Sequence, residues 1–160
     1  MELRNEAQMR TVLFVCTGNT CRSPMAEGIA RDLVDSGVLE GLNAGQVLFA
    51  SAGVAAAEGV PPSPETQDIL RERGIESSSR SIQLTSEMVS RADVVLAMTR
   101  SHQESICRHF DLSEEQASRV HMLDPQQDVI DPIGQGPQAY QMAAELFDKM
   151  IPQRLKELLS

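Results

Sequence analysis

Four short apolar runs punctuate the chain: Val12-Leu13-Phe14-Val15, Val47-Leu48-Phe49-Ala50, Val94-Val95-Leu96-Ala97 and Val120-His121-Met122-Leu123. Three of them are nearly continuous and rich in β-branched residues. Strands buried on both faces have that composition, as in a parallel sheet covered by helices. Between the runs, apolar residues fall at helical spacing instead. Ser23-Pro24 has the form of an N-cap and first helical residue. Met25, Ile29 and Leu33, with Ala26, Ala30 and Val34, then form one apolar stripe that Gly37 can close. Ser63-Pro64 repeats the start signal, Ile69 and Leu70 supply a buried side, and Gly74 ends the segment. Ser101 with Glu104 has the spacing of a capping box and opens a helix carrying Ile106 and Phe110. From Gln138 to Leu159, Leu146, Phe147, Met150, Ile151, Leu155 and Leu158 keep helical spacing, and Pro152 removes one backbone donor or bends the helix.

Strands alternating with helices predict an α/β fold: a three-layer sandwich with a four-stranded parallel sheet, helices on both faces and right-handed crossovers. A chain of 160 residues is long enough for one core and too short for two. No repeat, low-complexity tract or linker divides it. One domain over residues 11–160 is therefore expected, preceded by a flexible tail over residues 1–10.

Charge narrows the partners. Fourteen Lys and Arg against twenty-three Asp and Glu give a net charge of −9. A chain this acidic repels nucleic-acid backbones, so no nucleic acid is expected as a partner. No apolar run approaches the ~20 residues needed to cross a bilayer, so no membrane is expected either. The polar start MELRNEAQMR lacks a signal-peptide core, and three cysteines without framework spacing fit a reducing compartment. The expected location is cytoplasmic.

In parallel sheets ligands bind beyond the carboxyl ends of the strands. The segment after Val15 is Cys16-Thr17-Gly18-Asn19-Thr20-Cys21-Arg22-Ser23-Pro24, a loop leading into a helix N-terminus. Unpaired backbone N–H groups there favour an anion. Gly18 and Asn19 are residue types that tolerate positive φ, as an anion-cradling nest requires. Arg22 adds a planar fork of donors suited to two oxygens of a phosphate. Cys16 sits where these donors converge, a setting that favours the nucleophilic thiolate. The loop has no lysine and is therefore not a nucleotide P-loop, and the Gly pattern of a dinucleotide site is absent. Cys16 and Cys21 lack C-x-x-C spacing and no His or Cys set completes four zinc ligands, so neither a metal nor another cofactor is expected.

The stretch VLFVCTGNTCRSPMAEGIARDL resembles the signature segment of the low-molecular-weight protein-tyrosine-phosphatase family. Ser51-Ala52-Gly53, Ala92 to Thr99, and Asp131-Pro132 with Tyr140 downstream are similar to further family segments, so the likeness runs from residue 11 to 158. It implies strand order 2-1-3-4, a phosphorylated protein as substrate and phosphate or another oxyanion in the site. It also implies a phosphocysteine intermediate on Cys16. Arg22 and the loop residues Thr17, Gly18, Asn19, Thr20, Cys21 and Ser23 would bind phosphate. Asn19 and Ser51 would hold the loop, and Ser23 would hydrogen-bond the thiolate. Two Asp-Pro pairs could supply the general acid, at Asp124 and Asp131; the family pattern of Asp-Pro followed by Tyr places it at Asp131.

Some positions depart from the family. A histidine common before the third strand is missing from Glu76-Ser77-Ser78-Ser79-Arg80, so Ser78 or Ser79 is expected to replace it in the loop-bracing network. Tyrosine-specific members carry an aliphatic residue where Thr20 stands and aromatic residues where Ile133 and Gly134 follow Pro132. With one Tyr, four Phe and no Trp, an aromatic slot for a phenyl ring is hard to build. Thr20 resembles the arginine-phosphatase branch, which makes Thr20 and Ile133 the specificity positions and favours phosphoarginine over phosphotyrosine. The alternatives are a phosphotyrosine-specific phosphatase, an arsenate reductase and a non-catalytic phosphate-binding module. The arsenate reductase would need another mobile cysteine, and only Cys107, expected buried in a helix, is left. Oxidation is expected to join Cys16 to Cys21. His102, His109 and His121 are expected to be surface or strand residues.

Overall fold

Strand β1, Arg10–Cys16, is the spine of the sheet. In the computed structural model, which describes residues 9–159, it is followed by α1 (Arg22–Asp35), a 3-10 turn (Ala44–Gln46), β2 (Val47–Gly53), α2 (Pro64–Glu72), α3 (Ser86–Arg91), β3 (Val94–Ala97), α4 (Arg100–His109), α5 (Glu114–Ser118), β4 (Val120–Met122) and α6 (Pro137–Leu159). All pairings are parallel and the order is β2-β1-β3-β4, as the resemblance implied. Most of the expected tail, residues 1–8, lies outside the described residues. Arg10, at its end, already belongs to β1 and donates from its guanidinium to the Leu159 carbonyl.

The continuous apolar run of β1 follows from its two covered faces. Val12, Phe14 and Cys16 point into one layer with Met25 and Ile29 of α1, Leu70 of α2, and Phe147 and Ile151 of α6. Leu13 and Val15 point into the other with Leu84, Val89 of α3 and Ile106 of α4. Each large apolar side chain so buried contributes ~1.5–3 kcal/mol. In register, Cys16 pairs with Gly53 and Val15 with Ala97, which sets Cys16 at the carboxyl edge of the sheet.

Helix boundaries differ from the pattern where side chains have other work. Helix α1 starts at Arg22 with Cys21 at the cap position, because the Ser23 hydroxyl is turned to Cys16 and Asn19 rather than to a backbone amide. Ser63 caps α2 as expected, accepting from the Thr66 amide. Thr99, not Ser101, caps α4, accepting from the His102 amide at 3.0 Å. Helices α3 and α5 are too short to show an apolar stripe, though Thr85 caps the first and a Ser113–Gln116 capping box opens the second. Helix α6 runs through Pro152. Beyond β2, the Gly53 amide donates to the Ile82 carbonyl at 3.0 Å and its carbonyl accepts from Leu84 at 2.8 Å, forming a parallel bridge at Gln83. Among the described residues no helix is long and apolar enough to cross a membrane.

Candidate active site

The loop after β1 is held open by backbone geometry. Asn19 takes φ of +58°, and is the one non-glycine among the described residues to do so. Gly53 lies so close that a Cβ built on it would stand 2.4 Å from the Thr17 carbonyl oxygen and 3.1 Å from the Asn19 nitrogen. Only glycine lets β2 approach the loop in this way. The start of α2 braces the other end: the Ser63 amide donates to the Thr20 carbonyl at 2.8 Å, and the buried Thr66 hydroxyl donates to the Cys21 carbonyl at 3.4 Å.

A chain of hydrogen bonds fixes proton directions around Cys16. The Ile82 amide can only donate, so the Asn19 atom it meets at 2.9 Å is the side-chain oxygen. Asn19 Nδ2 therefore donates to Ser23 Oγ at 2.7 Å and to Ser51 Oγ at 2.9 Å. Both hydroxyls accept there and must send their own protons elsewhere. Ser51 donates to Glu27 Oε1 at 2.7 Å, and Ser23 is left to donate to Cys16 Sγ at 2.9 Å. The Asn19 amide adds a second donor to the same sulfur at 3.3 Å. Glu27 is buried on α1 and paired with Arg31. The bracing group is thus Glu27 with the Ile82 amide, not Ser78 or Ser79; the Ser79 amide instead turns back onto Ser77 Oγ.

Cys16, Thr17, Gly18, Thr20, Cys21, Arg22, Asp131 and Ile133 line one cavity of about 180 Å³. Asn19, Ser23 and Ser51 stand buried behind its wall. Buried Arg22 reaches across from α1, with Nη1 donating to the Val129 carbonyl at 2.9 Å and Nη2 lying 3.6 Å from Asp131 Oδ2. Asp131 is half-exposed, and its Oδ1 accepts from the Ile133 amide at 3.1 Å. Asp124 is buried and closes its own turn, accepting from the Gln126 amide at 3.0 Å and from the Gln127 side chain at 3.2 Å. Ile133 stands exposed at the rim. No aromatic ring is among the described lining residues: Phe14 and Phe49 stack in the core, and Tyr140 and Phe147 are buried.

Two neighbours of the loop are not legible in the chain. His102, expected at the surface or in a strand, is instead buried on α4, with Nε2 2.8 Å from Thr17 Oγ1. Burial, and then the nearby Arg22 cation, push its pKa down to about 4. The Cys21 thiol lies 3.3 Å from Tyr140 Oη and 3.5 Å from Ser63 Oγ. Burial foremost, then the bond to Cys21, push Tyr140 up to about 12, so its hydroxyl stays protonated. A buried Glu27 beside Met25, Ala26 and Ile29 was a readable signal, since an acid inside an apolar stripe asks for a partner. Cys107 lies on α4 as expected but is exposed, because it faces away from the core side held by Ile106. Among the described residues no His, Cys, Asp and Glu cluster is placed to hold a metal ion.

Over residues 11–160 the chain matches the family model described as low molecular weight phosphotyrosine protein phosphatase, and it belongs to that family of hydrolases. A protein-arginine-phosphatase of Geobacillus stearothermophilus is 37% identical over 150 residues, covering 92% of this chain and 95% of the relative. The low molecular weight protein-tyrosine-phosphatase PtpB of Staphylococcus aureus is 32% identical over 148 residues, covering 92% of this chain and 98% of the relative. Among solved structures, the YwlE arginine phosphatase, as a cysteine-to-serine mutant with a phosphorylated active-site serine, superposes with a TM-score of 0.80 at 31% identity over 91% of this chain and 95% of that one.

Proposed function

We propose that the protein hydrolyses phosphoarginine in proteins, in preference to phosphotyrosine, through a phosphocysteine on Cys16. The observation that carries this reading is the cavity itself, which sets the Cys16 sulfur, Arg22 and the Asp131 carboxylate around one space with no aromatic wall. A phosphotyrosine ring needs apolar faces to grip, whereas a guanidinium is cationic and is served by a carboxylate at the mouth. The partly buried Thr20 supplies a hydroxyl where an aliphatic side chain would favour a ring. The similarity to proteins named as arginine phosphatases supports the same choice.

The reaction has two displacements. Cys16 Sγ attacks phosphorus while the bond from phosphorus to the guanidino nitrogen breaks. Loop amides and Arg22 carry the charge on the equatorial oxygens of a loose transition state. Asp131 gives its proton to the departing nitrogen. Water then attacks the phosphocysteine, Asp131 takes a proton from it, and the bond between sulfur and phosphorus breaks to return the thiolate and phosphate. Ser23 and the Asn19 amide hold that thiolate between turnovers. Asp131, not Asp124, takes the acid role because Asp131 lines the cavity while both Asp124 oxygens serve its turn.

The test is kcat/KM for matched phosphoarginine and phosphotyrosine peptides, with Cys16→Ser as the blank. A phosphoarginine preference that shrinks in Thr20→Ile is expected. A phosphotyrosine preference, the reading the S. aureus relative favours, keeps the mechanism and discards the specificity. An unchanged ratio in Thr20→Ile removes Thr20 from substrate choice. Arsenate reduction would require a relay thiol, and Cys107 is not among the residues lining the cavity.

A further inference from the structure

His102 is 6% exposed in the first turn of α4. Its Nε2 stands 2.8 Å from Thr17 Oγ1, and Thr17 lines the cavity beside Cys16 and Arg22. The other ring nitrogen, Nδ1, is buried with no partner among the described residues. Orphaned N–H groups are rarer inside proteins than under-satisfied acceptors. The ring proton therefore belongs on Nε2, and Thr17 Oγ1 is the acceptor. A doubly protonated ring is disfavoured by its place at the positive end of α4 and by the Arg22 cation, against the weaker opposing pull of Asp128 and Asp131.

A hydroxyl that accepts from a fixed donor must place its own proton on something else. Thr17 is exposed and lines the cavity, so a bound oxyanion is within its choice of acceptors. We propose that His102 is a positioning residue for the loop: by donating from Nε2 to Thr17 Oγ1 it leaves the Thr17 hydroxyl proton free to be donated to an oxyanion bound beside Cys16 and Arg22. The inference rests on reading this cavity as the oxyanion site. It adds a side-chain donor to the loop amides and Arg22, and it gives the buried histidine a task that packing alone does not require.

The test uses the full chain in six forms: unsubstituted, Thr17→Val, Thr17→Ser, His102→Phe, His102→Gln and the double variant Thr17→Val/His102→Phe. Two readouts are taken, kcat/KM on a phosphoarginine peptide and inorganic phosphate affinity by NMR titration, together with the ¹⁵N shifts of the His102 ring. Thr17→Val and His102→Phe are each expected to lose about tenfold in both readouts, the effect of one hydrogen bond to a charged group. The double variant is expected to lose no more than either single one. Thr17→Ser and His102→Gln, which restore the hydroxyl and the donor, are expected to return most of the loss. The ring shifts should show the neutral Nε2–H tautomer at pH 7. Losses that multiply in the double variant, an Nδ1–H tautomer, or unchanged phosphate affinity in Thr17→Val would overturn the proposal. Should His102→Phe fail to fold, Thr17→Val and the tautomer decide alone. A protein that turns over neither phosphopeptide, yet shows the coupled loss in phosphate affinity, would refute the phosphatase reading and leave the His102–Thr17 pairing standing.

Discussion

Arg22 Nη2 lies 3.6 Å from Asp131 Oδ2 while Nη1 of the same guanidinium donates to the Val129 carbonyl, two residues before that aspartate. The side chain proposed to bind the oxyanion thus also tethers the loop that carries Asp131. Arg22→Lys removes both the fork and the tether at once. The expected result is a loss of about 10²–10³-fold in kcat/KM, measured against the Cys16→Ser blank. A loss under about tenfold would mean that the loop amides suffice for the transition-state charge.

Ser51→Ala leaves the buried Glu27 carboxylate short of one donor and Asn19 Nδ2 short of one acceptor. It is expected to destabilise the fold by ~1–3 kcal/mol. Asn19→Ala acts on the same network and also forces an alanine to φ of +58°. Urea unfolding of the two variants and their double mutant should show strong non-additivity; simple addition would break the network into unrelated bonds.

Gly53→Ala drives a methyl group to 2.4 Å from the Thr17 carbonyl oxygen. The loop must move, at a cost of ~1–3 kcal/mol in stability. Activity is expected to fall further than stability explains, because the shift occurs one residue from Cys16. Equal activity per folded molecule would show that the loop tolerates the displacement.

The buried His102, held near pKa 4 against an ordinary value of 6.5, binds fewer protons in the folded than in the unfolded chain between those two values. Stability from this group is present in full above pH 6.5 and is lost as pH falls toward 4, by roughly 3 kcal/mol in total. The groups facing it are Arg22, Asp128 and Asp131. Urea midpoints at pH 7 and 4.5 should fall more for the unsubstituted protein than for His102→Gln; parallel losses would assign the acid sensitivity to other groups.

Peroxide is expected to convert the Cys16 thiolate to a sulfenic acid with release of hydroxide, after which Cys21 attacks, water leaves and a disulfide forms. Cys21 is held by Tyr140 and Ser63, so Tyr140→Phe should speed the second step. Mass spectrometry checks this through the loss of two hydrogens, and a Cys16 sulfinic acid with Cys21 still free would contradict it.

The sheet was readable because β1, β2 and β3 are near-continuous apolar runs, and the cavity-lining loop because its parts are contiguous from Cys16 to Ser23. What escaped is what folding brings in from afar. The Ile82 amide and the Val129 carbonyl are backbone groups, which leave no trace in residue type. His102 is a single polar residue in a helix whose value depends on the side chain that faces it, and Glu27, though visible as an acid in an apolar stripe, did not reveal Ser51 as its partner. Helix α1 begins before Ser23 because the serine hydroxyl serves a sulfur instead of an amide. Ser78 and Ser79 looked suitable by position alone, but the network is completed by the Ile82 amide and Glu27 instead.

Strand β2 lies at the border of the sheet, with Leu48 exposed. At Gly53 that border is closed by the parallel bridge to Gln83. An unpaired rim invites a strand from another molecule, and such an intruder at Gly53 would prise β2 from the loop and loosen Asn19. The same short segment that shuts out a foreign strand also delivers the Ile82 amide to Asn19. Protection against self-association and maintenance of the surroundings of Cys16 therefore depend on one piece of backbone, and a lesion there would be felt as aggregation and inactivity together.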